Sequence, residues 1–414
     1  MDKRVVITGM GVVTPIGNNI NDFWQHLKEG VCGIRSIEGI EEDVPIHVAG
    51  QVRDFDPIAQ GLTSADVRRS DRYSQFAVAA SIQAMAQSGL VAGENIAPER
   101  LGVYIGSGIG GMQTFVDQTK VLVNEGARRI SPLFIPMMIS NIAAGNVAIR
   151  FHAQGVCLPV VSACATSTHA AGEAFRAIKH GYADAILTGG SEAAVHALAI
   201  GGFANSKALS TTTNPAEASI PFDRRRNGFV MAEGAGVLLF EELEHARKRG
   251  ATILAEVVGY GNSCDAYHYT APRPDGAAAS NAMRQALEEA SFTAGEALYI
   301  NAHGTSTPLN DKTETQVIKL ALGEEEARKA SISSTKSMTG HMLGATGAVE
   351  LIASALALRD GVVPPTIGLQ EADPECDLDY TPGKAKHRAL DVAISNSLGF
   401  GGHNACVALR KLND

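Results

Sequence analysis

Cys164-Ala165-Thr166 opens an alanine-rich stretch that ends near Lys179-His180-Gly181, and Gly344-Ala345-Thr346 opens another that ends near Arg359-Asp360-Gly361. The offset is 180 residues at both ends (344 minus 164, 361 minus 181). Apolar residues recur at helical spacing in Thr168–His180 and in Gly347–Leu358, so each stretch reads as a helix entered from a turn. Two short alanine-rich helices can match by chance. A duplicated α/β half accounts for both ends at once, each copy offering a strand–turn–helix to a shared centre.

Outward from these turns, strand-like runs recur at Val5–Ile7, Gly102–Ile105, Pro159–Ser162, Ala185–Thr188, Val237–Glu241, Leu298–Ala302, Ala330–Ser334 and Val392–Ser395. Helical runs fall between many of them, including Ser74–Ser88 and Ala279–Ala290. Strands alternating with helices imply α/β layers around a largely buried sheet. The boundary between halves is expected near residue 250, giving domains 1–250 and 251–414. Ser107–Ala144, with Pro132, Pro136, Met137 and Met138, reads as an elaboration of the first half, a cap or a subunit contact.

Composition narrows the function. The chain has 414 residues, 45% hydrophobic and 19% charged, as expected of a soluble globular protein with a large core. A formal charge of -9 argues against nucleic acid as the main partner. No run is apolar and long enough to span a membrane. Met1-Asp2-Lys3-Arg4-Val5 enters a strand at once, which leaves no room for a signal peptide and points to the cytoplasm. The six cysteines include no C-x-x-C pair, so free thiols in a reducing compartment are expected.

Cys164 stands apart from the other five. Val160-Val161-Ser162 runs into small residues and then a helix, placing the thiol at a helix start. There the dipole favours thiolate, and backbone N–H groups can meet a developing oxyanion. The bland alternative is a buried cysteine chosen for its size. Asn301-Ala302-His303-Gly304-Thr305 and Lys336-Ser337-Met338-Thr339-Gly340-His341 each carry a histidine into a polar loop after a strand, where α/β proteins gather their ligand and catalytic groups. Lys336 and Glu314 are candidates for an ion pair that locks the two loops. Two histidines and a cysteine could also bind zinc, but no closely spaced ligand pair anchors such a site. Gly399-Phe400-Gly401-Gly402 suggests a close-packed turn beside a ligand. Neither this loop nor Gly106-Ser107-Gly108-Ile109-Gly110-Gly111 carries a nucleotide-binding fingerprint.

With these segments assembled, the sequence resembles the β-ketoacyl-acyl carrier protein synthases, nearest to the type II elongating enzymes of bacterial fatty acid synthesis. The resemblance covers essentially the whole chain. Its anchors are Val161–Thr168 (VSACATST), Asn301–Pro308 (NAHGTSTP), Lys336–Gly344 (KSMTGHMLG) and Asn396–Asn404 (NSLGFGGHN), with Pro221-Phe222-Asp223 and Gly228–Gly236 in support. It implies the thiolase-like fold, two pseudo-repeated α/β halves in five layers, and a homodimer. It also implies decarboxylative condensation of an acyl group on Cys164 with malonyl-acyl carrier protein, as in β-ketoacyl-acyl carrier protein synthase II. The products are the β-ketoacyl-carrier, carbon dioxide and free carrier.

The resemblance assigns roles as well. Cys164 is the acylated nucleophile, and His303 and His341 act on the malonyl thioester. The amides of Cys164 and Phe400 form the acyl oxyanion hole, and Phe400 gates the pocket. Lys336 and Glu314 organise the histidines. Thr305 and Thr307 hold the pantetheine arm, while pocket depth is expected to depend on how Ile109, Phe134 and Phe203 pack and on the neighbouring subunit. Separately, Val67-Arg68-Arg69-Ser70-Asp71-Arg72 concentrates positive charge just before the helix near Ser74, and the resemblance puts Lys207 near the pocket mouth; together they offer a basic patch to the acidic carrier, the bland alternative being an ordinary solvated helix start. No metal or organic cofactor is implied, since phosphopantetheine travels on the carrier. The rival readings are a ketosynthase of a type II aromatic polyketide pathway, a thiolase, a starting synthase whose set is cysteine, histidine and asparagine, and a non-enzymatic subunit lacking the cysteine.

Overall fold

The computed structural model describes residues 2–40 and 43–412. The chain enters β1 (Val5–Val13), buried at all nine positions. A strand covered on both faces has no reason to alternate, which is why VVITGMGVV lacks a period of two. The first half adds β2 (Leu101–Gly106), β3 (Ala185–Glu192) and β4 (Gly234–Glu242), in the spatial order β2-β3-β4-β1. The second half supplies β5 (Ala255–Cys264), β6 (Leu298–Asn301), β7 (Ser331–Ser333), β8 (Val392–Gly399) and β9 (His403–Arg410), in the order β5-β9-β8-β6-β7.

Matching β1, β2, β3 and β4 to β5, β6, β8 and β9 carries one order onto the other. The directions agree too. β2–β3 and β6–β8 are parallel, and the remaining matched pairs are antiparallel. β1 pairs with β5 through Val5–Ile7 and Ala255–Val257, which joins the half-sheets along one edge.

Five helices complete the layers: α1 (Arg72–Ser88), α2 (Thr166–Lys179), α3 (Ala277–Glu289), α4 (Pro308–Leu322) and α5 (Thr346–Asp360). α1 covers one face of β1 and β4, while α3, with α4 beside it, covers β5 and β9. α2 and α5 pack on each other and on strands of both half-sheets. The result is helix, sheet, helix pair, sheet and helix, the expected five layers. α5 is buried from Thr346 to Leu358 because sheet lies on both sides of it. Leu351, Ile352 and Leu356 are fully buried there, and truncating any one to alanine costs about 2–5 kcal/mol.

The duplication reaches the backbone at the two turns. Ala163 (φ 50°) and Leu343 (φ 47°) both hold the left-handed conformation. Each opens a one-turn 3-10 helix, Ala163–Ala165 or Leu343–Ala345, that runs directly into α2 or α5. A non-glycine residue held this way costs about 1–3 kcal/mol, and the cost recurs at the same 180-residue offset.

The structure corrects the strand assignment before Cys164. Pro159–Ser162 is not a strand. The chain pairs with β2 only just upstream, through Val156, Cys157 and Leu158. β5 was not legible as a strand because Gly259 and Gly261 interrupt its apolar residues. They are there for α3: a Cβ at either would lie about 2 Å from the carbonyl oxygen of Ala286 or Ala282. The Ser107–Ala144 elaboration contains helices Met112–Glu125 and Phe134–Met138, and it leaves Phe115, Leu122, Val123 and Ile135 exposed.

Candidate active site

Cys164 sits in the 3-10 turn ahead of α2, half-buried at one wall of a cavity of about 380 Å³. His303, at the end of β6, and His341, in the loop before α5, line the same cavity. Cys164 lies 139 positions before His303 and 177 before His341, and the three meet because loops from both halves open on the centre.

Burial is the largest influence on the thiol. It pushes Cys164 up to about 11, against the pull of the Lys336 charge and the Phe400 and Cys164 amides, with Glu192 adding an upward push. The resting group is therefore a thiol, contrary to the thiolate expected from its helix-start position. Because those two amides face the sulfur, they are also placed to meet an oxyanion formed on a carbonyl bound there.

The histidine rings lie edge-to-face with centroids 5.4 Å apart. Burial, the Lys336 charge and His341 hold His303 well below the usual imidazole range, and burial and Lys336 do the same to His341. Both are neutral at physiological pH, so each ring carries one N–H to donate. His341 Nδ1 lies 3.0 Å from Thr346 Oγ1, which fixes the ring and leaves the buried Nε2 without a protein partner. The main chain of His341 is held in place by Val230 and Ala232.

Glu314 secures the other histidine loop. Its carboxylate accepts the amides of His303 and Gly304 at 2.7 Å each, and Asn396 Nδ2 at 2.9 Å. The expected pairing of Lys336 with Glu314 is not what forms. Lys336 Nζ donates to Glu350 Oε1 at 2.6 Å instead. The physical reason is that Glu314 already satisfies amide donors, while Glu350 projects from α5 with no other strong donor. Glu350 was missed in sequence although a carboxylate inside an otherwise apolar helix is a signal. Glu192 was missed as well. Buried at the end of β3, it ties the Ser107–Ile109 loop to Gly344 by accepting from four donors.

Phe400 tops the hairpin between β8 and β9, where Gly401 (φ 86°) and Gly402 (φ 77°) adopt conformations that side chains resist. Its ring lies 6.3 Å from Phe203, which continues through Phe229 to His341. Phe203, Thr305 and Thr307 line the cavity, and the two threonine hydroxyls are 2.9 Å apart. Ile109 packs in the apolar cluster that includes Cys164 and Phe203. Phe134 does not join them. Its ring packs on Phe115 in the elaboration, 6.5 Å away, so within one chain it does not line the cavity.

Lys207 is exposed at the cavity mouth. Arg68 and Arg69 are exposed but do not line that cavity; Arg68 ends the short helix Ser64–Arg68, and the pair lies just before α1. Among the described residues no cluster of three or more His, Cys, Asp or Glu is placed to hold a metal, and no helix is long and apolar enough to cross a membrane.

A helix pair between two duplicated sheets, with a cysteine and two neutral histidines on one cavity, defines a thiolase-like condensing site. Residues 2–246 match the model of the beta-ketoacyl synthase N-terminal domain, and residues 254–370 match that of the C-terminal domain. The chain belongs to the beta-ketoacyl synthase family. It is 50% identical over 411 residues to the 3-oxoacyl-[acyl-carrier-protein] synthase 2 of Synechocystis, covering 99% of this chain and 98% of the relative. It is 48% identical to the protein of that name from Staphylococcus aureus, covering 99% of each.

Among solved structures, a beta-ketoacyl synthase from Burkholderia phymatum superposes with a TM-score of 0.90 at 34% identity, covering 99% of this chain and 100% of that one. A type II polyketide ketosynthase, solved in complex with its acyl-carrier protein and bound to the hexaketide, superposes at 0.89 and 35% identity over the full length of both chains.

Proposed function

We propose that this chain is a 3-oxoacyl-[acyl-carrier-protein] synthase of the elongating type. The observation that carries the reading is the convergence of Cys164, His303 and His341 on one cavity. Identity favours fatty acid elongation over a polyketide pathway: 50% to the synthase of Synechocystis against 35% to the polyketide ketosynthase.

The geometry supports two half-reactions. In the first, the Cys164 sulfur attacks a thioester carbonyl, and its proton leaves with the carrier's sulfur as a free thiol. The carbonyl oxygen, briefly anionic, faces the Cys164 and Phe400 amides. In the second, the bond between C2 of malonyl and its carboxylate breaks, and its electrons pass to the thioester oxygen as carbon dioxide departs. N–H donors on neutral His303 and His341 stabilise that enolate. C2 then attacks the acyl carbon on Cys164, the sulfur is expelled as thiolate and takes a proton from solvent to restore the thiol, and a 3-oxoacyl thioester two carbons longer remains. Holding both partners in one cavity makes the step effectively unimolecular. The electron flow needs neither metal nor organic cofactor, because the carbanion comes from loss of carbon dioxide.

Acyl carrier protein is the proposed partner, docking near Lys207 with Arg68 and Arg69. A cytoplasmic homodimer is the proposed assembly. Phe115, Leu122, Val123 and Ile135 of the elaboration, and Leu158 and Val161 beside the nucleophile turn, are exposed apolar side chains that a second copy would cover. A second copy would bring its own Phe134 to them. Purified protein given acyl- and malonyl-acyl carrier protein should release carbon dioxide and yield the 3-oxoacyl-carrier. Turnover of neither substrate overturns the reading.

A further inference from the structure

The two amides that face the Cys164 sulfur come from different segments. One lies in the turn after Ser162, the other in the hairpin between β8 and β9. Three contacts hold these segments together. Gly399 packs so tightly on the turn that a Cβ there would lie 2.8 Å from the Ser162 carbonyl oxygen and 3.4 Å from the Cys164 nitrogen. Thr168 Oγ1, in the first turn of α2, lies 2.7 Å from Ser397 Oγ on β8. The third contact is His169.

His169 Nδ1 lies 2.8 Å from Ser162 Oγ and 3.2 Å from the Ala165 carbonyl oxygen. Burial pushes this imidazole down to about 4, so the ring is neutral. Its Nδ1 either accepts from the Ser162 hydroxyl or donates to Ala165, and both partners flank the nucleophile. The ring meets His403 edge-on with centroids 6.2 Å apart, and Tyr260 edge-on at 6.4 Å. His403 closes the gate hairpin. It pairs with Gly399, and its ring lies 3.1 Å from where a Gly401 Cβ would stand. Neither histidine lines the cavity.

We infer that His169 is a positioning residue for acyl transfer, holding the Cys164 turn against the gate hairpin through Ser162 and His403 so that both amides meet one oxyanion. The inference rests on the reading of Cys164 as the acylated nucleophile. A small misplacement of oxyanion donors is costly to rate, whereas enolate stabilisation by His303 and His341 does not use these amides.

The test compares His169→Ala, His169→Asn and His403→Ala with the unmodified protein. Each is assayed for Cys164 acylation by acyl-acyl carrier protein, malonyl decarboxylation and alkylation by iodoacetamide. His169→Ala should slow acylation about 10- to 100-fold in kcat with KM unchanged. Decarboxylation and alkylation should hold. Asparagine places an amide where Nδ1 stands, so His169→Asn should recover most of the loss through Ser162. If His169→Ala does not fold, His403→Ala decides: selective loss of acylation supports the inference, and an unchanged rate overturns it. Wild-type acylation in His169→Ala, or an equal fall in all three reactions, also overturns it. Failure of the unmodified protein to acylate would instead remove the underlying reading.

Discussion

Lys336 Nζ lies 2.6 Å from Glu350 Oε1, with each side chain 1% exposed. This buried cation acts on the whole site. Its charge pulls the Cys164 thiol down and helps keep His303 and His341 neutral. Burial in turn pushes Glu350 up to about 7, an effect that Lys336 opposes. Removing one member leaves the other buried and unpaired. Lys336→Met should therefore lose about 3–5 kcal/mol in urea unfolding. A loss under about 1 kcal/mol would show the pair to be solvated.

The depressed histidines give stability a pH slope. In the unfolded chain they take up protons near the ordinary imidazole value of about 6.5, while in the native protein they resist until well below it. Protonation then favours the unfolded state. The contribution is fully present above the unfolded value and is lost as pH falls below it. The urea midpoint should drop between pH 6.5 and 5, and His303→Asn should flatten the slope. An unchanged slope in that variant contradicts the burial assigned to the ring.

The Cys164 thiol, held near 11, should be alkylated by iodoacetamide at a rate that climbs about tenfold per pH unit through pH 9. A plateau by pH 8 would mean that a thiolate already exists at rest. The helix dipole would then outweigh burial.

Lys207 stands at the mouth, and Arg68 and Arg69 are exposed just before α1. Reversing all three charges should raise KM for the carrier-borne substrate and leave a small acyl-pantetheine thioester untouched. The defect should shrink as salt rises, because exposed charges are screened. Equal damage to both substrates would place the fault in the site or fold.

The duplicated fold was legible because its two turns carry the same small-residue pattern 180 residues apart. Cys164, His303 and His341 were legible because each lies in a polar or small-residue loop beside a helix or strand end. The ion-pair partner of Lys336 was not. Sequence spacing puts Glu314 close to the His303 loop, but which carboxylate an ammonium meets is decided by how α5 packs between two sheets. The thiol's protonation state was misjudged for a related reason, since a dipole can be read from a helix start and burial cannot. Phe134 was expected to help set pocket depth together with the neighbouring subunit, and within a single chain it packs against Phe115.

The central claim is that Cys164 carries the acyl group. Mass spectrometry of the intact protein after incubation with acyl-acyl carrier protein, followed by peptide mapping, tests it directly. One acyl adduct per chain is expected, mapping to Cys164, absent from Cys164→Ala and discharged by malonyl-acyl carrier protein with release of carbon dioxide. An adduct of equal yield in Cys164→Ala, or one on another cysteine, would contradict the account.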